Sequence, residues 1–412
     1  MTLTRPDDRA MMDRRFPTLN AVRAAGALMV VCTHTAFDTG QINRGWTGAA
    51  LSRMDFGVTL FFILSGFLLS RPFLLNTARE SAHPSWRHYF WKRSLRILPL
   101  YWVVVVAAML LDPKNRDATV GDWVSQLTLT QLYRPHLLAS SLTQMWSLCS
   151  EVAFYLVLPP LCLLLTVSRR HPGLHLPTVY RRAGVLAVAG LTWQVVVAPL
   201  GNHHTHYAQW LPGMLPWFLV GMVFAAISAK TAVTGRPHTL DRLGADLTGC
   251  WVVGAAAFAI ACSPVAGPRL LLAPGAFEAG AKLVLYTVAG TFLVLPLVFG
   301  PELEGRARLW LTRPVPFWLG DISYGIFAIH MFMLNLSLRM TGIELFTGHF
   351  LTVLALTLSS SMVLAGLSFR FFERPILSAK NVRWIVRTEP PGVELGSTAS
   401  HGAEAPATTR DR

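Results

Sequence analysis

Long apolar segments divide the sequence and constrain its fold more than any other feature. Each is close to the length that a helix needs to cross the hydrocarbon core of a bilayer. Backbone groups in lipid must find hydrogen-bond partners within their own segment, which a helix provides. The sequence therefore predicts an all-α, polytopic membrane protein with about ten transmembrane helices. The predicted spans are 19–37, 55–71, 96–112, 145–167, 183–199, 212–229, 247–263, 279–299, 317–338 and 349–371.

The composition supports the same class. Hydrophobic residues make up 52% of the chain and charged residues 14%, whereas soluble domains carry about 25% charged residues. The net charge of +14 would suit a nucleic-acid-binding protein, but the basic residues lie in short stretches between the apolar segments. We therefore predict a multi-pass protein of the cell membrane that contacts lipid and has no nucleic-acid partner.

The distribution of basic residues predicts the orientation. With the amino terminus inside, 27 Lys and Arg residues fall on the inner side and 7 on the outer side, and two more lie within spans. Short cytoplasmic loops collect Lys and Arg, so both termini are predicted to be cytoplasmic.

The same pattern divides the chain into three regions. Residues 1–18 form a cytoplasmic amino-terminal segment, and residues 19–377 form the ten-helix membrane domain. Residues 378–412 are polar and are expected to form a disordered cytoplasmic tail. We expect no fused extracellular domain.

The first span carries two polar groups that share a face. Arg23 and His34 are eleven residues apart in the stretch "VRAAGALMVVCTH". Eleven residues of helix advance about 20° past three full turns and rise roughly 16 Å. Arg23 therefore lies near the inner end and His34 near the outer end of one face. Ionisable groups within a membrane are costly and tend to mark function.

A carboxylate in the fourth span is predicted to lie at the depth of His34. Glu151 falls about two turns below the outer end of that span. A carboxylate beside an imidazole fixes its tautomer and raises its basicity, as general-base catalysis requires. The alternative is a hydrogen bond that only holds spans one and four together.

Basic residues at the inner end of the third span predict an anion site. Arg93 and Arg96 are three residues apart and so lie on one helix face, and Arg suits bidentate phosphate binding. Arg23 is predicted at the same depth. The alternative is contact with lipid headgroups, as expected of any basic cytoplasmic segment.

Four further residues are candidates for lining the site: Ser65, Trp146, Tyr324 and His330. His330 is predicted to reach the depth of His34, and Ser65 precedes a glycine in a position that also suits close helix packing. The sequence predicts no metal site. It lacks the G-x-S-x-G nucleophile elbow of serine hydrolases.

Several segments, taken in order, resemble the integral-membrane acyltransferase-3 family, whose members O-acylate bacterial glycans and some antibiotics. They are "LNAVRAAGALMVVCTH", "GVTLFFILSGFLLS", "KRSLRILPLYW", "WSLCSEVAFYLVLPPL", "LGDISYGIFAIH" and "FERP". The resemblance implies ten spans and an acyl-CoA co-substrate from the cytoplasm, without a bound cofactor. It implies that His34 is catalytic and that Arg23, Arg93 and Arg96 belong to the functional residues, and Glu151 occupies the position of the first glutamate of the W-S-L-x-x-E segment. We expect the three arginines to bind the phosphates of the donor and Glu151 to orient His34.

Some positions depart from the commoner family pattern. Asn20 and Ala21 stand where Asp and Gly are frequent, Thr59 stands where an Asp often follows Gly-Val, and Val152 replaces a second glutamate. These departures put any role of those acidic groups in question, but they leave Arg23, His34 and Glu151 in place.

The resulting hypothesis is a membrane-bound O-acyltransferase. It would move an acetyl or short-chain acyl group from acyl-CoA to a hydroxyl of a glycosylated natural product, such as a macrolide, in antibiotic biosynthesis. The alternative is O-acetylation of a cell-surface polysaccharide. A transporter is a rival from another class, although we find no paired inverted repeats with broken helices. A structural scaffold would leave the buried polar residues unexplained.

Overall fold

The structure is a computed structural model that describes residues 16–134, 139–169, 171, 173–200, 206–269, 272–301 and 304–378. Within these ranges the chain is helical and contains no strand, which confirms the all-α prediction. Residues 1–15 and 379–412 lie outside the described residues, and with them most of the predicted amino-terminal segment and tail. Ser378, the first residue of the predicted tail, ends a short helix.

Fifteen α-helices follow one another in the described residues. A π-turn at Phe369–Glu373 joins the last two. The helices are α1 (Thr18–Asp38), α2 (Gly45–Ser52), α3 (Phe56–Ala78), α4 (Trp86–Leu111), α5 (Val120–Leu127), α6 (Met145–Thr166), α7 (Leu176–Val197), α8 (Leu211–Thr234), α9 (Thr239–Ala245), α10 (Leu247–Ala261), α11 (Ala276–Val298), α12 (Arg306–Leu311), α13 (Pro314–Thr341), α14 (Phe350–Ser368) and α15 (Arg374–Ser378).

The helices confirm a polytopic membrane protein. In the described part of the chain, eight helical stretches are long and apolar enough to cross a membrane, and α9 with α10 adds a ninth that is bent by 86°. Helix α1 has 21 residues but is less apolar, because it carries Arg23 and His34. Each of the ten predicted spans coincides with one of these helices. The orientation of the termini stays a prediction.

Two helices extend well beyond their predicted spans. Helix α4 begins at Trp86, ten residues before the predicted start, so that Arg93 and Arg96 lie within the helix rather than at its entrance. Helix α3 continues through Pro72 to Ala78. Hydropathy ends a span at basic residues, whereas the backbone hydrogen bonds of a helix continue into the interfacial region of the membrane.

Helix α1 packs closely between α3 and α13. A Cβ atom placed on Gly57 of α3 would lie 2.3 Å from the carbonyl oxygen of Gly26, and one placed on Gly320 of α13 would lie 2.3 Å from that of Asn20. Only glycine permits such an approach, and small residues serve this purpose in membrane bundles. The contacts fix α1 so that its polar face meets α13.

The polar residues of α1 define two ends of the bundle. We call the end that contains Arg23, Arg93 and Arg96 the arginine end, and the end that contains His34 the histidine end. Successive long helices alternate in direction. Asp55, just before α3, therefore lies at the histidine end, as His34 does.

Candidate functional site

Two histidines form a direct contact at the histidine end. His34 of α1 places Nδ1 3.0 Å from Nε2 of His330 on α13. His330 is completely buried, and its Nδ1 faces the carbonyl oxygens of Phe327 at 2.7 Å and Ile326 at 3.2 Å. His34 is only partly buried. The sequence predicted His330 as a lining residue, and the structure makes it the partner of His34.

These contacts assign the tautomers of the neutral pair. Nδ1 of His330 faces two acceptors, so it carries the proton and leaves a lone pair on Nε2. That lone pair accepts a hydrogen bond from Nδ1–H of His34. The lone pair of His34 therefore lies on Nε2, where it is free to accept a proton.

Glu151 does not pair with His34. Its Oε1 accepts hydrogen bonds from Tyr155 at 2.7 Å and from Ser65, and it interacts electrostatically with Arg23 and Arg93. The predicted contact between His34 and Glu151 is therefore wrong. The carboxylate belongs to the arginine end.

The path of the chain before α6 explains this difference. Ser141, Leu142 and Gln144 are buried before the helix begins. Gln144 donates through Nε2 to the carbonyl oxygen of Ala328 at 2.9 Å. The chain has thus already entered the protein when α6 starts at Met145. Glu151 consequently lies deeper than its distance from the hydropathy boundary suggests.

A cavity of about 110 Å³ lies at the arginine end. Its lining contains three cationic side chains and one carboxylate, so its wall carries an excess of positive charge. Helices α1, α3, α4, α6 and α13 all contribute to it. Six of the nine predicted site residues line this cavity: Arg23, Ser65, Arg93, Arg96, Glu151 and Tyr324.

The arginines are held by polar contacts that leave capacity for an anion. Arg23 donates through Nη1 to Oδ1 of Asn20, and Asn20 donates through Nδ2 to Oδ1 of Asp321, each at 3.3 Å. Asn20 thus links Arg23 to a carboxylate on α13, although it replaces the commoner Asp. Nε of Arg93 is buried and has no hydrogen-bond partner among the described residues. A buried donor of this kind is costly unless a ligand satisfies it.

Two residues of the last helices complete the arginine end. Tyr324 donates from its hydroxyl to the carbonyl oxygen of Ile97 at 2.8 Å, which ties α13 to α4. Glu373, in the π-turn, is buried and interacts electrostatically with Arg96. Glu373 belongs to the "FERP" segment but was not predicted as a site residue from the sequence. A π-turn at a functional site is a signal that only the structure provides.

A second cavity, of about 470 Å³, lies at the histidine end, and we call it the histidine-end cavity. Trp146 lines it, away from the three arginines of the arginine end. So do Asp55 and Lys282, whose Oδ2 and Nζ atoms are 2.6 Å apart. His34 interacts electrostatically with Asp55. The sequence analysis did not assign this ion pair, although a lysine within an apolar segment is a signal of function.

The two cavities approach each other at α3. Val58 contributes to the lining of both, one turn after Asp55. Phe327, whose carbonyl oxygen anchors His330, lines the cavity at the arginine end. The bundle thus has a cationic cavity at one end, and a larger cavity with an ion pair and a histidine with a free lone pair at the other. These are the parts that a group transfer between two substrates requires.

Comparison with known proteins gives a consistent result. A family model described as an acyltransferase domain matches residues 16–366. The chain is 22% identical over 375 residues to the peptidoglycan O-acetyltransferase OatA of Listeria monocytogenes. It is 24% identical over 389 residues to the putative peptidoglycan O-acetyltransferase YrhL of Bacillus subtilis. A putative O-acetyltransferase of Staphylococcus aureus is 22% identical over 382 residues.

The alignment with the Listeria protein covers 87% of this chain and 55% of that relative. The alignment with the Bacillus protein covers 88% of this chain and 55% of the relative, and the one with the Staphylococcus protein 88% and 57%. The chain thus spans about half the length of the curated relatives it matches. No solved structure matches the chain. The names of the first two relatives give peptidoglycan as the molecule that they acetylate.

Proposed function

The chain belongs to the acyltransferase-3 family, and from this premise we propose that it transfers an acetyl or short-chain acyl group from acyl-CoA to a hydroxyl of a cell-surface saccharide. The two relatives named as peptidoglycan O-acetyltransferases support a saccharide acceptor. A small glycoside such as a macrolide stays the second candidate, because it offers the same sugar hydroxyls.

The cavity at the arginine end supports an anionic donor. Three arginines face it, and the buried Nε of Arg93 has no partner within the described part of the chain. Guanidinium groups bind phosphate in a bidentate manner. A volume of about 110 Å³ suits one phosphate-sized group, so the remainder of acyl-CoA would lie outside it. We propose that the arginine end faces the cytoplasm, in agreement with the excess of basic residues predicted there.

His34 is proposed to act as the general base. Nε2 of His34 takes the proton of the acceptor hydroxyl, and the oxygen attacks the thioester carbonyl carbon. The carbon–sulfur bond breaks, and the CoA thiolate recovers the proton from the imidazolium. His330 accepts a hydrogen bond from Nδ1–H throughout, and the nearby charge of Asp55 stabilises the imidazolium.

One observation carries this proposal: the contact between His34 and His330 directs the free lone pair of His34 to Nε2. A transporter requires polar groups along a pathway, but it does not require a base with an assigned tautomer. Arg23 lies three turns from His34 along α1, roughly 16 Å, and the pantetheine arm of CoA would bridge this distance.

Release of free thiol from acetyl-CoA tests the proposal. Purified wild-type protein and His34→Ala are compared in detergent, with a peptidoglycan-derived oligosaccharide or a macrolide as acceptor. We expect acceptor-dependent thiol release by the wild type, and a loss of about 10²–10⁴-fold in the variant. Wild-type activity in a correctly folded His34→Ala protein would exclude His34 as the base. Acceptor transport without thiol release would favour the transporter.

A further inference from the structure

The charged side chains in the wall of the histidine-end cavity are already satisfied by protein groups. Arg53 is buried and donates to three carbonyl oxygens, those of Ala261 at 3.0 Å, Pro268 at 3.4 Å and Gly267. All three nitrogens of its guanidinium are thus engaged. Three of its five N–H groups are thus directed at backbone oxygens, which hold the guanidinium in place.

The carboxylate of the cavity is satisfied in the same way. Asp55 pairs with Lys282 through Oδ2 at 2.6 Å and accepts a hydrogen bond from the Tyr286 hydroxyl through Oδ1. The same hydroxyl lies 3.0 Å from the carbonyl oxygen of Arg53. Lys282 and Arg53 both act electrostatically on the carboxylate of Asp55, so an anionic ligand would have to compete with Asp55 for these cations.

Two buried neutral polar atoms in the described part of this wall have no hydrogen-bond partner. Trp217 is only 7% exposed, and its indole Nε1–H makes no hydrogen bond. The side-chain oxygen Oε1 of Gln209 is likewise buried without a partner. Both residues line the cavity. Buried donors and acceptors are normally satisfied, so one free donor and one free acceptor indicate a ligand that supplies both.

A hydroxyl group is both a donor and an acceptor. The cavity also presents two tryptophans, Trp146 and Trp217, whose rings offer flat apolar surface with a polar edge. Its volume of about 470 Å³ lies in the range of small-molecule sites, about 300–1,000 Å³. These features together suit a ring that carries several hydroxyls.

We infer that the histidine-end cavity binds an uncharged saccharide unit of the acceptor, which contacts Trp217 Nε1–H and Gln209 Oε1 through its hydroxyls. This inference rests on the proposed function and assigns the acceptor site to the histidine-end cavity. Asp55 connects the site to His34 electrostatically, so the bound unit lies at the same end of the bundle as the base.

Equilibrium dialysis with radiolabelled chitotetraose, a neutral oligosaccharide, tests the inference without any acyl transfer. Trp217→Phe removes the indole N–H and keeps an aromatic ring, and Gln209→Leu removes the amide oxygen. Each variant is expected to raise the Kd about 2- to 10-fold. Trp251→Phe is the matched control, since Trp251 Nε1 donates to the carbonyl oxygen of Leu293 at 3.2 Å and does not line the cavity.

A third variant keeps the test valid if the first two variants misfold. Ala273 lies in an exposed segment at the cavity wall, so Ala273→Phe narrows the cavity without disturbing the core. We expect it to abolish chitotetraose binding. Tetraglucuronate, which has a carboxylate on each ring, is expected to bind at least about tenfold more weakly than chitotetraose.

The outcomes separate this inference from the proposed function. If wild-type protein transfers acyl groups to a saccharide but Trp217→Phe, Gln209→Leu and Ala273→Phe bind chitotetraose normally, the inference fails and the function stands. If tetraglucuronate binds more tightly than chitotetraose, the neutral class is wrong. If the wild type binds neither saccharide, the inference fails, and thiol release alone then decides the function.

Discussion

Nδ1 of His34 and Nε2 of His330 lie 3.0 Å apart, and the second nitrogen of His330 faces two backbone carbonyl oxygens. The backbone of α13 thus sets the tautomer of a side chain on α1. Because His330 is completely buried and His34 is not, one imidazole serves as a fixed partner and the other is free to meet a substrate.

Replacing His330 should reduce the turnover of the proposed reaction without abolishing it. His330→Phe removes the imidazole that accepts from Nδ1–H of His34 and leaves only the backbone group of Val30. A smaller fraction of the protein then holds the lone pair of His34 on Nε2. We expect kcat to fall about 2- to 10-fold, with little change in the donor KM. His330→Gln supplies an amide oxygen as acceptor and should retain more activity than His330→Phe. Equal activity in these two variants would contradict the tautomer assignment, and the pH profile of kcat should shift only in His330→Phe.

The donor site can be tested by removing one arginine. Arg93→Gln deprives the cavity of a buried cationic donor, and hydrogen bonds to charged groups contribute about 1.5–3 kcal/mol. The KM for acetyl-CoA should rise about tenfold or more, and the effect should weaken at high salt. Arg87→Gln is the matched control, since Arg87 lies exposed on the same helix and does not line the cavity. A similar rise in both variants would point to general surface charge.

The two interpretations of Glu151 predict different kinetics. The structure places this carboxylate against Arg23 and Arg93, where Gln would keep an oxygen for Tyr155 and Ser65 but remove the opposing charge. Glu151→Gln should therefore lower the KM for the anionic donor several-fold and reduce kcat less than about tenfold. Steady-state kinetics with varied acetyl-CoA measures both. A loss of about 10²–10⁴-fold in kcat would instead support the role predicted from the sequence.

The effects of replacing Asp55 and Lys282 on the free energy of unfolding should not be additive, because the two side chains form an ion pair. Lys282→Met leaves Asp55 without its cation, and we expect a loss of about 1–3 kcal/mol, measured as a lower midpoint of thermal unfolding in detergent. The double variant Asp55→Asn/Lys282→Met removes both charges and should recover part of this loss. If the double variant is as unstable as the sum of the single variants, the pair does not interact.

A buried carboxylate at the histidine end should make stability depend on pH. Burial raises the pKa of Asp112, but hydrogen bonds from Ser141 Oγ at 2.6 Å and from the Lys114 amide at 3.1 Å, with the ion pair to Arg339, outweigh it and hold the pKa below its usual range. A lowered pKa in the folded protein means that the stabilisation is complete above the unfolded pKa of about 3.9 and is lost as the pH falls through the folded pKa.

Asp112→Asn isolates this contribution. The difference in thermal midpoint between wild type and variant should be constant above about pH 5 and should shrink below about pH 4. Asp117→Asn, a change at an exposed residue outside the spans, is the control. A difference that grows as the pH falls would give the opposite sign and would contradict the lowered pKa.

The sequence alone predicts the helices and much of the arginine end. A polar residue in an apolar helix must turn away from lipid, and the helix period places Arg23 and His34 on one face. The three predicted arginines, Ser65, Glu151 and Tyr324 do share one cavity. These predictions succeed because they depend on periodicity within single helices and on the depth of charged groups.

Pairings between helices required the tertiary structure. Hydropathy locates a span to within a few residues, but it does not show a buried segment such as 139–144, which shifts Glu151 away from His34. It also leaves the rotation and contacts of each helix open, and those bring His330 to His34 and Lys282 to Asp55. The sequence thus determined which helices form and which faces are polar, through local hydrogen bonding and transfer into lipid. Tertiary packing decided which polar groups meet, since close contacts at residues such as Gly57 and Gly320 fix the relative positions of helices that are distant in sequence.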